Sequence, residues 1–504
     1  MSKEIIPVII GAAQFTQKKG TSDPLDPLKL AAHASEKAIA STGNNGIKPF
    51  IDTLYMTNIS SWTYTDPLGE LSEILDIHPD VMDYVKITGS APQILANRAA
   101  KSIASGKSKA VLITGADAYY SRYRRTKHNI ELNWPKVSKK VIQSARNNAY
   151  HSYLTQLELR YKMYNATNVY ALIETAVRNA SKLNFEEHLQ KIGERYEHFS
   201  KIASQNPHAW SQKFFKAEDI ITPSPENRKV CYPFTKRMIA NIFVDQSAAL
   251  IMTSEEFAEE CGIEKDLWVY LMGGVDLDNI FSISQRPRLY DSPAIRKAST
   301  LVLEQAGLTL DDIDAFDLYS CYPCMVEIAR KEIGLPEGDT RDLTITGGLS
   351  FFGGPFSSYS LHSIVTAVDL IQSNPSMKIM VLANGGYNTS QSFGIYGKER
   401  PAKSWLEINN AIVQEEINSQ ILPEPILEAN GDMTIDAYTF IYDRQGQIER
   451  GIVIGHIENG KRALALIEPE SIYITEIEKQ DLVGKIYKVE HDLKDKLNKM
   501  ILSE

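Results

Sequence analysis

Cysteine is nearly absent from this chain. Cys231, Cys261, Cys321 and Cys324 are the whole complement in 504 residues, and none precedes Cys231. That scarcity excludes a disulfide framework and suits a reducing compartment. Cys321 and Cys324 stand at CxxC spacing, but a structural zinc site needs a second pair, which the chain lacks. A redox role would require the pair at a strand-to-helix turn; otherwise two small buried residues account for it. Excess positive charge is missing too. Lys and Arg number 54 against 63 Asp and Glu, a formal charge of −9, so no basic face for nucleic acid is implied and anionic membranes are disfavoured. No apolar stretch approaches membrane-spanning length. The start MSKEIIPVIIG has neither the apolar core nor the cleavage site of a signal peptide. The expectation is a cytoplasmic protein with no membrane insertion, no nucleic-acid partner and no metal site.

What is present is an ordinary globular composition, 43% apolar and 23% charged. The length suits about three domains. The chain also repeats itself. Asp26-Pro27 opens a segment with periodic apolar residues that ends at Thr42-Gly43, and Ser292-Pro293 opens another that ends at Ala306-Gly307. Both have a capping residue, a proline at the first helical position and a glycine past the end. Strand-like runs follow at 51–56 and 313–318, and apolar runs at 109–116 and 378–385 suit parallel strands buried on both faces. The matched elements lie 262 to 269 residues apart (26 to 292, 51 to 313, 109 to 378). Two α/β halves packed as a pseudo-dimer are the expectation.

A helix rich in small residues precedes each late strand, one from Ser90-Ala91-Pro92-Gln93 and one from near Ser357. Small side chains let backbones approach, so these two are expected to be central buried helices whose free N–H groups face a pocket. The halves are read as 1–117 with 241–275, and 276–402. Between them, 118–240 carries Trp134, Tyr150, Tyr153 and Tyr161, and a helix over 184–203. It is too long and too patterned for a loop, and reads as a helical cap over the pocket or an oligomer contact. A linker at 403–424 leads to 425–504, where short strands and turns at Arg444-Gln445-Gly446 and Asn459-Gly460 suit a small barrel.

Several runs then carry a resemblance. Thr346-Gly347-Gly348-Leu349-Ser350-Phe351-Phe352-Gly353-Gly354-Pro355 resembles the thiolase stretch N-G-G-x-x-x-x-G-H-P. Asp317-Leu318-Tyr319-Ser320-Cys321 stands where thiolases have N-E-A-F or H-D-C-F. Leu382-Ala383-Asn384-Gly385-Gly386 stands where they have C-x-G-G, and Val244-Asp245-Gln246-Ser247-Ala248-Ala249 resembles their S-D-G-A-A strand. Order and spacing agree over about 1–400. The chain is similar to sterol-carrier-type thiolases, in particular to bacterial thiolase-like proteins of the acetyl-CoA acetyltransferase kind. Its end resembles the OB-like domains that accompany some thiolase relatives. The resemblance implies a duplicated five-layer αβαβα fold plus a small C-terminal β-barrel, and a place in lipid metabolism as an acyl-CoA acyltransferase.

The reactive groups are nonetheless replaced. The nucleophilic cysteine of the family, at the N-terminus of the first buried helix, corresponds to Thr88 or Gly89 here. The histidine of G-H-P corresponds to Gly354, the second cysteine to Ala383, and the Asn or His that holds the thioester oxygen to Tyr319. Proton transfer and oxyanion stabilisation are each worth orders of magnitude in rate, so ordinary thiolysis or Claisen condensation is not expected. Cys321 occupies a place where the family often has a cysteine with no catalytic role, and His362 lies past the first turn of the second buried helix, suited to packing or capping. Thr88 and Tyr319 remain able to donate hydrogen bonds to a carbonyl.

Ser247, Gly347, Gly348, Gly353, Gly385 and Gly386 are the binding candidates, because glycines expose backbone N–H groups and permit close approach. The implied ligand is CoA or an acyl-CoA as substrate, with no tightly bound cofactor. Arg122, Arg124, Arg125 and Lys127 are candidates for its phosphates. A homodimer fits the resemblance, and the C-terminal domain is a candidate dock for a protein partner. The alternative to an enzyme is a non-catalytic acyl-CoA-binding or scaffold protein.

Overall fold

The computed structural model describes residues 4–139, 153–458, 460–469, 474–478 and 480–502. Tyr150 and Asn459 lie outside them. The first half runs through strand β1 (Pro7–Thr16), helix α1 (Pro27–Ser41), β2 (Ile51–Met56), α2 (Pro67–Leu75), β3 (Val81–Tyr84), α3 (Ala91–Ala104) and β4 (Ala110–Ala118). The insertion holds α4 (Tyr119–His128), α5 (Ala166–Ala180), α6 (Phe185–Gln205) and the short strands β5 (Lys229–Cys231) and β6 (Phe234–Thr235), before β7 (Asp245–Ser254) returns to the first sheet. The second half runs through β8 (Tyr270–Asp278), α7 (Pro293–Ala306), β9 (Ala315–Leu318), α8 (Pro323–Ile333), α9 (Tyr359–Ser373), β10 (Ile379–Gly385) and β11 (Ser390–Gly397).

Helix punctuation follows the side chains. Asp26 accepts from the N–H groups of Leu28 and Lys29 to start α1, and Ser292 accepts from that of Ile295 to start α7. Asn184 and Glu187 form a capping box on α6.

The duplication is carried in the strand pairing. The sheets have the orders β1-β7-β4-β2-β3 and β8-β11-β10-β9. Pairs β1–β7 and β8–β11 are antiparallel, as are β7–β4 and β11–β10, whereas β4–β2 and β10–β9 are parallel. Among the described residues only β3 has no counterpart. Helices α3 and α9 lie between the sheets: Leu95, Ala99, Leu361 and Ile364 share one core with Val111 and Leu250 of the first sheet and Val381 and Tyr396 of the second. Helix α1 covers the outer face of the first sheet and α7 that of the second, which completes the five layers. Helices on both faces are why every residue of β4 is buried.

After helix α10 (Ala411–Asn418), strands β12 (Gly431–Tyr442), β13 (Ile448–Ile457), β14 (Arg462–Ile467), β15 (Ile486–Asp492) and β16 (Leu497–Ile501) form a barrel. Their order is β12-β13-β14-β16-β15, and β15 pairs again with β12 to close it. Register shifts in β12 between Ile435 and Ala437 and between Ile441 and Tyr442 let one strand bend around the barrel. The barrel is joined to the body by more than its linker. Ile441 of β12 pairs with Cys231 of β5, and barrel residues Ala437, Ile452 and Leu464 share a core with Val169, Leu172 and Ile173 of α5. Among the described residues no helix is long and apolar enough to cross a membrane.

Candidate functional site

The entry to α3 and the end of β10 converge. The Thr88 N–H donates to Ser357 Oγ at 3.1 Å, tying the approach to α3 to that of α9, and Thr88 Oγ1 lies 2.9 Å from Ser90 Oγ. Thr88 and Gly89 are half-buried. A Cβ placed on Gly89 would collide with the Tyr319 hydroxyl and with the backbone carbonyl of Asn384. Gly89, one of the two positions expected for the family's nucleophile, is therefore closed by Tyr319 and Asn384, and no side chain fits there without moving β10.

The expectation that the glycines leave room for a ligand is revised: their close approaches are made by the protein's own side chains. A Cβ on Gly386 (φ +64°) would fall 2.5 Å from the Tyr153 ring. One on Gly385 would meet Thr88 and Ser90, one on Gly347 would meet Ala203, and one on Gly348 would come 2.9 Å from the Phe199 ring. Gly353 (φ +114°) lies against Gln246, where a Cβ would come 2.6 Å from Oε1. Gly354 is different. Its Cβ would meet nothing nearer than Leu349 at 3.4 Å, so steric closure does not explain why it is glycine.

Tyr319 is buried, and burial, reinforced by Cys321, raises its hydroxyl pKa far above the ordinary value. Ala383 is fully buried in β10 opposite Ser392 of β11 and offers no group for proton transfer. Cys321 and Cys324 do stand at a strand-to-helix turn, between β9 and α8, and both are free and buried. Burial pushes the Cys321 thiol up to about 12, only partly offset by the polar groups around it. Burial, reinforced by Glu174, likewise holds the Cys324 thiol well above its ordinary value. This is the reverse of an activated thiol.

His362 is fully buried in α9. Its Nδ1 lies 2.9 Å from Gln14 Oε1 and its Nε2 has no partner. Gln14 Oε1 only accepts, so Nδ1 carries the proton. Burial lowers the ring to about 3, and it stays neutral at pH 7. Ser247 is buried within β7 with its hydroxyl unpartnered. His362 therefore contacts β1 and Ser247 lies inside the first sheet, whereas Thr88, Gly89, Tyr319, Gly385 and Gly386 form one contiguous patch.

Sequence reading missed what organises that patch. Tyr170 of α5 donates to the Gly386 carbonyl at 2.9 Å and accepts from Asn384 Nδ2 at 3.0 Å and the Asn388 N–H at 3.1 Å. Its ring stacks on Tyr322 at 4.5 Å. Four residues on, Glu174 accepts from the Cys324 N–H at 2.7 Å. Tyr170 and Glu174 at i and i+4 within the largely apolar run 169–177 were the available signal. Asp317, quoted only as part of a motif, is a fully buried carboxylate that accepts from Ser363, Thr344, Tyr359 and the Ile345 N–H. It ties β9 to α9.

On α4, Arg122 donates to the Ser61 carbonyl at 3.2 Å and Arg124 to that of Thr21 at 3.1 Å, while Arg125 lies over Trp62. Arg125 and Lys127 are exposed. Among the described residues no group of His, Cys, Asp or Glu is arranged to hold a metal ion.

A family profile described as the thiolase-like protein type 1 additional C-terminal domain matches residues 412–494. Over its whole length the chain is similar to a monomeric SCP2-thiolase like protein type 1 from Mycobacterium smegmatis, at 30% identity, a TM-score of 0.85 and 99% coverage of each chain. The chain belongs to the SCP2-thiolase like proteins. More distant likenesses agree. The non-specific lipid-transfer protein-like 2 of Caenorhabditis elegans is 24% identical over 249 residues, 43% of this chain and 58% of that relative's length. The solved acetyl-CoA acetyltransferase of Syntrophomonas wolfei is 15% identical with a TM-score of 0.56, covering 79% of this chain and all (100%) of its own, and speaks for the fold alone.

Proposed function

We propose that this SCP2-thiolase like protein is a cytoplasmic acyl-CoA-binding protein that performs neither thiolysis nor Claisen condensation. The observation that carries it is that neither expected nucleophile position offers a thiol: Thr88 has a hydroxyl, and Gly89 is filled by the close approach of Tyr319 and the Asn384 carbonyl. No group that exchanges protons near neutrality stands at Gly354 or Ala383, so the chemistry lost at one position is not recovered at another.

The reading of a retained ligand rests on what lies at the mouth. Thr88 is half-buried beside Tyr153, and their hydroxyls can donate to a thioester carbonyl. The cationic α4 offers Arg125 and Lys127 to phosphates. Such contacts bind ground state and transition state alike and accelerate nothing. The barrel is read as OB-like because its strands close in the order first, second, third, fifth, fourth, with a protein partner as its candidate ligand. The proposed unit is one chain, like the relative described as monomeric.

Calorimetry with CoA and acetyl-CoA, beside an acetoacetyl-CoA thiolysis assay, separates the two halves. Saturable heat with no turnover above buffer is expected. Absence of both heat and thermal shift would end the binding half, and turnover above buffer would end the non-catalytic half, with Cys321→Ala showing whether that thiol carries it.

A further inference from the structure

Tyr153 covers one side of the Thr88 mouth. Its ring lies on Gly386, where a Cβ would come within 2.5 Å of it, and its hydroxyl is within hydrogen-bond reach of Thr88. Its outer neighbour is Phe281, stacked at 6.4 Å between ring centroids with 21° between the planes. Phe281 is 45% exposed and Tyr153 is half-buried, so the pair forms the solvent-side wall. The inner wall is fixed. Gly386 is held through its carbonyl by Tyr170, and Thr88 through its N–H by Ser357. On that wall the Tyr319 side chain is buried, yet its hydroxyl has no hydrogen-bond partner among the described residues. A buried group able to donate is thus left unused beside the mouth.

The backbone beneath this aromatic pair is tied down. Leu154, next to Tyr153, is buried in the core. Thr155 and Glu158 then cap the helical turn Gln156–Arg160, the Thr155 N–H donating to Glu158 Oε2 at 2.8 Å. Glu158 is fully buried, and its Oε1 accepts from Ser282 Oγ and from the Ser284 N–H, each at 2.8 Å. One carboxylate therefore clamps the stretch that carries Tyr153 to the loop that carries Phe281. With both backbones held, Tyr153 leaves Gly386 by rotation about its side-chain bonds. That rotation gives up one ring stack and one hydrogen bond, which together favour the covering position about ten- to a hundredfold.

We infer that Tyr153 is a gate over Thr88 that selects small acyl groups. A thioester reaches the Thr88 and Tyr319 hydroxyls only while the ring is swung out. A short acyl group lets the ring swing back over it, whereas a long chain holds the ring out and forfeits both contacts. The choice of acyl group rests on the acyl-CoA reading; the gate rests on the packing of Tyr153 alone.

The test uses the full chain with Cys261→Ser, which removes the partly exposed thiol, and Thr88→Cys as a reporter. Alkylation of the introduced thiol by iodoacetamide should be slow with Tyr153 in place and at least about tenfold faster with Tyr153→Ala. Tyr153→Phe loses only the hydrogen bond and Phe281→Ala only the stack, so each should speed it about two- to tenfold. Unreacted Cys321 and Cys324, both buried, report an intact fold. Phe281→Ala, at an exposed position, keeps the test in force if Tyr153→Ala fails to fold. In the chain without the reporter, calorimetry should show the preference for acetyl-CoA over octanoyl-CoA falling about tenfold on Tyr153→Ala. Alkylation equally fast in all variants overturns the gate, and an unchanged preference overturns the selection. If neither thioester binds, the acyl-CoA reading and the selection fall together, and the alkylation rates alone decide the gate.

Discussion

Replacing Gly89 by alanine adds one methyl group at one of the two positions expected for the family's nucleophile. That methyl would collide with the Tyr319 hydroxyl and the Asn384 carbonyl. The second contact is backbone within β10, which is fully buried and hydrogen-bonded on both sides, so it yields little. Overpacking of this kind costs about 1–3 kcal/mol. Gly354→Ala is the control, because its methyl meets nothing nearer than 3.4 Å. Loss of glycine freedom in the unfolded chain should leave that variant neutral or up to about 1 kcal/mol more stable. The two substitutions are thus predicted to have opposite signs. Tyr319→Phe removes the nearest contact and leaves the Asn384 carbonyl and the ring carbon Cζ at 2.8 Å, so Gly89→Ala should cost less in that background, with a coupling of at least about 0.5 kcal/mol. Urea unfolding with calorimetry measures wild type, the three single variants and the double variant. Gly89→Ala at wild-type stability, or an unchanged cost in the Tyr319→Phe background, would refute the claim that Tyr319 closes the Gly89 position.

Three further outcomes are expected. Asp117 is fully buried with Oδ2 unpartnered, and burial pushes it up to about 7 from the ordinary 3.8. The folded state therefore holds the proton more tightly, and stability falls as pH rises from about 4 to about 7, then levels. Asp117→Asn should remove that slope, with a difference from wild type growing to about 4 kcal/mol at pH 8; parallel pH–stability curves would contradict it. In the native protein a thiol reagent should modify Cys261, which is partly exposed, while Cys231, Cys321 and Cys324 react only on unfolding. More than one rapidly reacting thiol would count against the buried assignment. Tyr170→Phe strips three hydrogen bonds from the 384–388 turn and should cost about 1–3 kcal/mol. Hydrogen exchange at 385–389 should quicken, and unchanged exchange there would show that Tyr170 does not hold the turn.

The duplicated architecture was legible because its signals are local. Proline after a capping residue, glycine past a helix end and apolar runs are written within a few residues of where they act, so α1, α7, β4 and β10 fall close to their expected places. The missing cysteine before Cys231 and the glycine at 354 are likewise matters of identity at a position, and the proposed loss of thiolase chemistry starts from them. Strands β1, β8 and β11 were not legible: Gly11 and Gln14, Gly273-Gly274 and Asp276, and Gln391 and Gly394 break their apolar runs, so neither alternation nor a continuous apolar stretch marks them.

Which side chains fill the glycine framework could not be read along the chain, since Tyr319 meets Gly89 and Tyr153 meets Gly386 across 230 or more residues. A glycine reports that something comes close; only the packing says whether it is a ligand or a tyrosine. The same holds for the barrel, whose strands are a local pattern but whose union with α5 depends on contacts between Thr175 and Tyr438, brought together from distant parts of the chain by burial of a shared apolar face.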